Sequence, residues 1–116
     1  MPITSLPSED GQELTITIQG RFDFGAHQEF RRAYERVDIR PKRYTVDLKG
    51  TTYLDSSALG MLLLLRDHAG GDRAQIRLLN CNADVRKILS ISNFEQLFQI
   101  DLSLIHISEP TRRRGI

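Results

Sequence analysis

Cysteine is nearly absent from this sequence, since Cys81 is its only thiol in 116 residues. A single cysteine excludes an intrachain disulfide and a zinc site built from several thiolates. His27 and His68 show no metal-ligand spacing with Cys81. The sequence therefore predicts no metal site and no cofactor.

Long apolar runs and an excess of one charge are also absent. The longest apolar run, residues 58–65, is interrupted by Gly60 and ends at Arg66, well short of the roughly 20 residues that a membrane-spanning helix needs. Residues 1–11 are polar and acidic, unlike a signal peptide. The chain carries 16 basic and 15 acidic side chains, without the basic face that binds nucleic acid. We expect a cytoplasmic protein with neither a membrane nor a nucleic-acid partner.

Hydrophobic periodicity predicts the strands of a single domain. Residues 14–18 and 44–48 alternate apolar and polar side chains, as strands with one buried face do. Residues 75–79 and 98–100 are further candidates, and a turn is expected at Gly50. At this length, one core is expected.

Three helices are expected between these strands. Apolar residues at helical spacing predict helices over 26–36 and 57–68, and Asn82 is expected to cap a third. The first helix is defined by Phe30, Ala33, Tyr34 and Val37. The second contains four consecutive leucines, 62–65, so we expect it to be buried nearly all round. This order indicates an α/β fold, with four or five strands in a mainly parallel sheet covered by helices.

Asp55, Ser56 and Ser57 stand at a predicted strand-to-helix junction. The first N–H groups of a helix have no intrahelical partner and carry partial positive charge, so they suit a serine cap and also a phosphate. A serine exposed there can take two charge states without unfolding the domain. The plainer alternative is a structural cap, the usual role of an isolated Asp-Ser-Ser before an apolar helix. The small residues Ala58 and Gly60 are expected to leave the surrounding surface shallow and accessible.

Two segments resemble the hallmark motifs of STAS domains, in particular the bacterial anti-sigma factor antagonists. Residues 20–23, Gly-Arg-Phe-Asp, resemble the Gly-Glu-[Leu/Ile]-Asp turn of that family. Residues 54–60, Leu-Asp-Ser-Ser-Ala-Leu-Gly, resemble its Met/Leu-Asp-Ser-[Ser/Thr]-Gly-Leu-Gly segment. Arg21 stands where the family usually has an acidic residue, and Ala58 stands where it usually has glycine. The resemblance implies the STAS fold for residues 1–101.

The resemblance also implies a transcription regulator that acts by partner switching and catalyses nothing. In that family an anti-sigma factor with serine kinase activity phosphorylates the serine after the aspartate, which is Ser56 here, with Ser57 as the alternative. The unphosphorylated protein binds the anti-sigma factor and frees a sigma factor, and a serine phosphatase resets it. The implied partner-binding surface comprises Asp23, Asp55, Ser56, Ser57, Ala58 and Gly60.

Two other functions are alternatives to this one. A serine hydrolase needs a G-x-S-x-G elbow and a histidine base, but Ser56 has neither glycine, and His68 lies about 18 Å along the same helix. A STAS domain can also be a non-phosphorylated structural subunit of a transporter or a sensory complex. Phosphorylation of Ser56 would distinguish that role from the switch.

The last fifteen residues lack the amphipathic helix with which members of this family normally end. Residues 102–116 show no helical stripe, Pro110 would break a helix, and the string resembles an in-frame translation of a sequencing-library adapter. We therefore expect a STAS domain over 1–101, a non-native tail over 102–116 and no final helix. The alternative is a native strand, since the apolar residues Ile100, Leu102 and Leu104 stand at alternate positions.

Overall fold

A mixed sheet of five strands, packed against helices, forms the described part of the chain. The computed structural model describes residues 3–35 and 41–102. In chain order the elements are β1 (Ile3–Pro7), β2 (Glu13–Phe22), α1 (His27–Glu35), β3 (Arg43–Leu54), α2 (Ser56–His68), β4 (Ile76–Cys81), α3 (Ala83–Ile91) and β5 (Gln99–Leu102). Short 3-10 turns occupy Phe24–Ala26, Gly71–Arg73 and Phe94–Gln96.

The strands lie side by side in the order β1-β2-β3-β4-β5. β1 pairs antiparallel with β2, and each of the other neighbouring pairs is parallel. The predicted α/β class with a mainly parallel sheet is thus confirmed. Because parallel strands all end at one side of a sheet, the chain segments that follow β2, β3 and β4 begin together there. We call this side the carboxyl edge.

The hydrophobic core lies between the helices and one face of the sheet. Over residues 14–18 of β2, 44–48 of β3 and 76–78 of β4, alternate apolar side chains are buried, and they join one cluster with the apolar sides of the helices. The strand members include Leu14, Ile16, Val46, Leu48 and Leu78. The helix members include Phe30 and Tyr34 from α1, Met61, Leu62 and Leu65 from α2, and Val85 and Leu89 from α3. We call this side of the sheet the core face and the other side the open face.

Gly50 does not form the predicted turn, because β3 continues through it to Leu54. Thr17 pairs with Asp47 and Gln19 with Gly50, so β3 holds one more residue than β2 over this stretch. A Cβ at Gly50 would lie 3.0 Å from the Gln19 side chain. The glycine therefore marks a bulge and a close approach of two strands, which is its other common meaning inside a strand.

β1 was not expected from the sequence, because Ile3 is its only buried side chain and gives no alternating pattern. The strand is held by its pairing with β2 and by the turn between them. In that turn Asp10 Oδ1 accepts hydrogen bonds from the Ser8 hydroxyl at 2.6 Å and the Gln12 N–H at 3.0 Å. Local polar contacts thus define a strand that hydrophobic periodicity does not show.

Other predicted boundaries shift as well, and the largest change is in β2, which ends at Phe22, four residues beyond the predicted strand over 14–18. α1 begins at His27, since Ala26 belongs to the preceding 3-10 turn, and β4 starts one residue later and extends further than expected. Positions 36 and 37 of the predicted first helix lie outside the described residues. The described chain ends at Leu102, the last residue of β5 and the first of the predicted tail over 102–116. The rest of that tail and the predicted absence of a final helix lie outside the described residues.

Candidate functional site

Asp55, not Ser56, caps helix α2. The backbone of Asp55 is extended, and its Oδ1 accepts the N–H of Ala58 at 3.0 Å. Ser56 is the first residue of the helix, and within the described part of the chain its hydroxyl makes no hydrogen bond. The prediction that Ser56 acts as the cap is therefore wrong. Because Asp55 satisfies the helix start, the Ser56 hydroxyl has no structural role there.

The residues that follow Asp55 differ in their solvent exposure. Ser56 is exposed, whereas Ser57 is half-buried. Ala58 is fully buried against the core, so its side chain does not belong to the predicted partner-binding surface, and that assignment is wrong. Gly60 is half-buried, and a Cβ placed there would find open space. The accessible hydroxyl at this helix start is thus that of Ser56.

Asp23 lies at the carboxyl edge with Asp55. The two aspartates directly follow the last residues of β2 and β3, which pair in register. Both carboxylate oxygens of Asp23 are engaged, since Oδ1 accepts the Gly25 N–H at 3.0 Å and Oδ2 accepts Nε–H of Arg21 at 3.1 Å. The fold therefore brings the two predicted acidic residues to the edge at which Ser56 is exposed.

Arg21 balances the charge of Asp23 and stacks on an aromatic ring. Its guanidinium carbon lies 4.3 Å from the centre of the Tyr53 ring, within the range of a cation–π contact. The ion pair with Asp23 is exposed and so contributes little stability. Its effect is local: the positive charge stays beside Asp23, at the end of the strand that neighbours β3.

Helix α2 is not buried all round, contrary to the prediction. Leu63 and Leu64 are 41% and 51% exposed. They lie on the side of the helix that also carries Ser56 and Gly60, about 10 Å along the axis from Ser56. The run of four leucines concealed this exposure, because only Leu62 and Leu65 fall at the spacing of the buried side.

Phe24 is an exposed aromatic residue at the same edge, and sequence reasoning missed it. Its side chain is 73% exposed. Phe24 and Ser56 each stand two residues beyond the paired positions Phe22 and Leu54, so they occupy equivalent places at the exits of neighbouring strands. The docking face, as we define it, comprises Asp23, Phe24, Asp55, Ser56, Ser57, Gly60, Leu63 and Leu64.

His68 is too far from Ser56 to form a catalytic group with it. His68 lies at the opposite end of α2, where its ring is 4.9 Å from that of Tyr34. Among the described residues no group of three or more His, Cys, Asp or Glu side chains is arranged to hold a metal ion. In the same part of the chain, every helix is too short or too polar to cross a membrane.

Comparison with known proteins places this chain among STAS domains. Residues 5–105 match the family model described as "Mlab, STAS domain". A STAS-domain containing protein of Pseudomonas aeruginosa (strain UCBPP-PA14) is 78% identical over 100 residues, which cover 86% of this chain and 99% of that protein.

Solved structures with the same fold have far lower sequence identity. The anti-sigma factor antagonist SpoIIAA in its unphosphorylated form is 16% identical, with a TM-score of 0.63 over 90% of this chain and 93% of that one. A putative anti-sigma factor antagonist from Thermotoga maritima is 15% identical, with a TM-score of 0.72 over 96% and 95%. A sulfate transporter family protein from Wolinella succinogenes is 14% identical, with a TM-score of 0.67 over 84% and 81%. These similarities establish the fold alone.

Proposed function

The chain belongs to the STAS domain family, and we propose that it is an anti-sigma factor antagonist whose partner binding is switched by phosphorylation of Ser56. The observation that best supports this switch is the division of roles at the start of α2, where Asp55 supplies the cap and Ser56 offers a free, exposed hydroxyl. Modification of that hydroxyl removes no structural hydrogen bond, so the domain stays folded in both charge states.

A phosphate on Ser56 would be tolerated by the fold. The N–H groups of the first helical turn and the helix dipole favour an anion at this position. The phosphate adds about −1.5 to −2 charges to an edge that already carries Asp55 and the paired Asp23. The modification therefore changes the docking face rather than the core.

The apolar part of the docking face indicates what the unphosphorylated form binds. Phe24, Leu63 and Leu64 present aromatic and aliphatic surface beside Ser56, and such residues anchor protein interfaces when a partner covers them. We propose that an apolar surface of the anti-sigma factor packs on these side chains. Phosphorylation then places an unpaired charge in an interface from which water is excluded, and this weakens binding of the anti-sigma factor.

The proposed cycle uses three partners. Unphosphorylated protein holds the anti-sigma factor and so releases a sigma factor for transcription. A serine kinase, of the type found among anti-sigma factors, phosphorylates Ser56 and ends the contact, and a serine phosphatase restores it. The protein itself has no catalytic role, and it works in the bacterial cytoplasm.

The test combines site mapping with binding. The anti-sigma factors and serine kinases of the source organism are purified individually and incubated with the wild type, Ser56→Ala and Ser57→Ala in the presence of ATP. Mass spectrometry should find the phosphate on Ser56, with incorporation lost in Ser56→Ala and retained in Ser57→Ala. Phosphate found on Ser57 alone would move the site by one residue.

Calorimetric titration of the cognate anti-sigma factor then tests the switch. Ser56→Ala should bind like the unphosphorylated wild type, and Ser56→Asp should bind more weakly by about 1–3 kcal/mol, the scale of an uncompensated charge at an interface. Equal affinity of the two variants, with no phosphate incorporated, would rule the switch out and leave the family assignment intact.

A matched pair of substitutions tests the apolar contact. Leu64→Ala should weaken binding of the anti-sigma factor, because it removes a side chain from the docking face. Ile91→Ala is the control, since Ile91 is also exposed, at 72%, but lies on α3. Equal effects of the two substitutions would contradict the placement of the partner on α2.

A structural role without phosphorylation is the second candidate, because the same fold occurs in a sulfate transporter family protein. In that case the domain would act as a subunit of a transporter or a sensory complex, and Ser56 would need no kinase. The presence or absence of phosphate on Ser56, with the identity of the bound partner, separates the two functions.

A further inference from the structure

A pocket lies at the amino edge of the sheet, the side at which β2, β3, β4 and β5 begin, opposite the carboxyl edge that carries Ser56. Its volume is about 390 Å³, within the range of roughly 300–1,000 Å³ that is usual for small-molecule sites. Neither the motifs nor the docking face accounts for it.

The strand register gathers polar side chains at this pocket. Glu13 pairs with Arg43 across β2 and β3, while Thr45 pairs with Arg77 and Arg77 pairs with Gln99. The residues next to them in sequence, such as Leu14 and Leu78, are buried in the core. Because successive side chains point to opposite faces, this polar set shares the open face.

A hydrogen bond orients a half-buried carboxylate that lines the pocket. The hydroxyl of buried Thr45 donates to Glu13 Oε2, and Arg77 Nη2 lies 4.0 Å from the same oxygen. The Glu13 side chain is only 26% exposed, so its orientation is constrained and its charge is offset by Arg77. Arg43 adds a second guanidinium and gives the pocket a net positive charge.

The rest of the pocket is lined by apolar side chains and by the side-chain amides of two glutamines. Ala74, Ile76 and Leu97 supply apolar surface, and Gln75 and Gln99 supply side-chain amides. A few fixed polar groups set against apolar surface are typical of sites that bind small organic molecules. The pocket therefore differs from the docking face, which presents exposed apolar side chains and the Ser56 hydroxyl.

We propose that this pocket binds a small hydroxylated organic anion. Guanidinium groups match the geometry of phosphate and carboxylate oxygens. The anionic group of the ligand is therefore assigned to Arg43 and Arg77. An ionised carboxylate only accepts hydrogen bonds, so Glu13 receives a hydroxyl of the ligand. This site is independent of the proposed switch, since the two lie at opposite edges of the sheet.

Nuclear magnetic resonance of the full chain tests the proposal with three probes: ribose 5-phosphate, citrate and inorganic phosphate. At least one hydroxylated anion should shift the amide signals of residues 43–45, 75–77 and 97–99 in a saturable manner, at least tenfold more tightly than inorganic phosphate. A preference for ribose 5-phosphate or citrate identifies the anionic group as phosphate or carboxylate. No saturable shift with any probe in the tens-of-millimolar range would overturn the proposal.

Two substitutions in the pocket and two outside it make the result specific. Arg43→Gln should weaken binding of the hydroxylated anion at least tenfold. Glu13→Gln should lower the preference for the hydroxylated anion over inorganic phosphate, because it removes the carboxylate that accepts the ligand hydroxyl, while the loss of its negative charge raises the attraction for both anions. Arg32→Gln, at an exposed position of α1, and Ser56→Asp should have no effect. Unchanged binding to Arg43→Gln, or equal losses in Arg32→Gln, would show adventitious attraction to surface charge and refute the site.

Discussion

Replacing Asp55 by alanine should destabilise the domain, whereas replacing its neighbour Ser56 should not. Asp55 Oδ1 accepts the N–H of Ala58 at 3.0 Å, and Ala58 is buried. Alanine at position 55 leaves that N–H without its capping partner at the start of the helix that forms much of the core. The Ser56 hydroxyl is exposed and, among residues 3–35 and 41–102, makes no hydrogen bond.

The magnitudes follow from the cap and the helix dipole. Loss of a capping side chain costs about 0.5–2 kcal/mol, typically about 1, and loss of a negative charge at a helix start costs about 0.3–1 kcal/mol more. We therefore expect Asp55→Ala to lower the free energy of unfolding by about 1–2 kcal/mol. For a domain of this size each kcal/mol lowers Tm by roughly 4–8 °C. Ser56→Ala should change the free energy of unfolding by less than about 0.5 kcal/mol.

Urea unfolding followed by circular dichroism measures both variants, with equal m-values required for the comparison. Asp55→Asn is the matched control, because asparagine caps as well as aspartate but carries no charge. It should recover most of the loss seen in Asp55→Ala. If Ser56→Ala is as destabilising as Asp55→Ala, then Ser56 carries the cap, and the argument that its hydroxyl is free for modification fails.

Three further predictions test the core and its ionisable groups. Leu89→Ala should lower the free energy of unfolding by about 2–5 kcal/mol, measured by urea unfolding, while Ile91→Ala on the same helix should change it little, because Leu89 is buried and Ile91 exposed. Thr51→Val should cost about 1 kcal/mol, since the buried Thr51 hydroxyl donates to the Ile18 carbonyl at 3.0 Å, whereas exposed Thr52→Val should be nearly neutral. Burial raises the pKa of Tyr34 in the folded state. The stability linked to this shift is fully present below the unfolded pKa near 10. It is lost as pH rises through the folded pKa. Tyr34→Phe should remove that alkaline loss in urea unfolding at a series of pH values, and an unchanged profile would contradict it.

Periodicity predicted the elements whose stability depends on burial of one side. The alternation of residues 14–18 and 44–48, and the helical spacing of Phe30 and Tyr34, correspond to the core face and to α1. A motif match placed Ser56 at a helix start, and the helix does begin there. Each of these features depends on residues that are close together in the chain, so the sequence shows it directly.

The errors concern features that depend on residues far apart in sequence. β1 exists because β2 offers a pairing edge, and Gly50 lies in a bulge because Gln19 passes close to it. The exposure of Leu63 and Leu64 was missed for a different reason, because a run of four leucines does not by itself show which side of α2 packs on the core. The amino-edge pocket likewise arises from the register of four strands. Sequence reasoning thus found the candidate switch and missed the apolar surface beside it.

A phosphorylation switch and a stable helix start place opposing demands on one residue. A capping side chain must keep its hydrogen bond, whereas a switched side chain must be free to change its charge and its contacts. The Asp55-Ser56 pair separates these demands, because the aspartate binds the Ala58 N–H and the serine, one position later, is exposed on the first turn. The order of the two residues matters. If a serine were the cap, phosphorylation would modify the oxygen that makes the capping hydrogen bond. An aspartate directly before the serine therefore allows the charge of the docking face to change while the core beneath α2 keeps its packing.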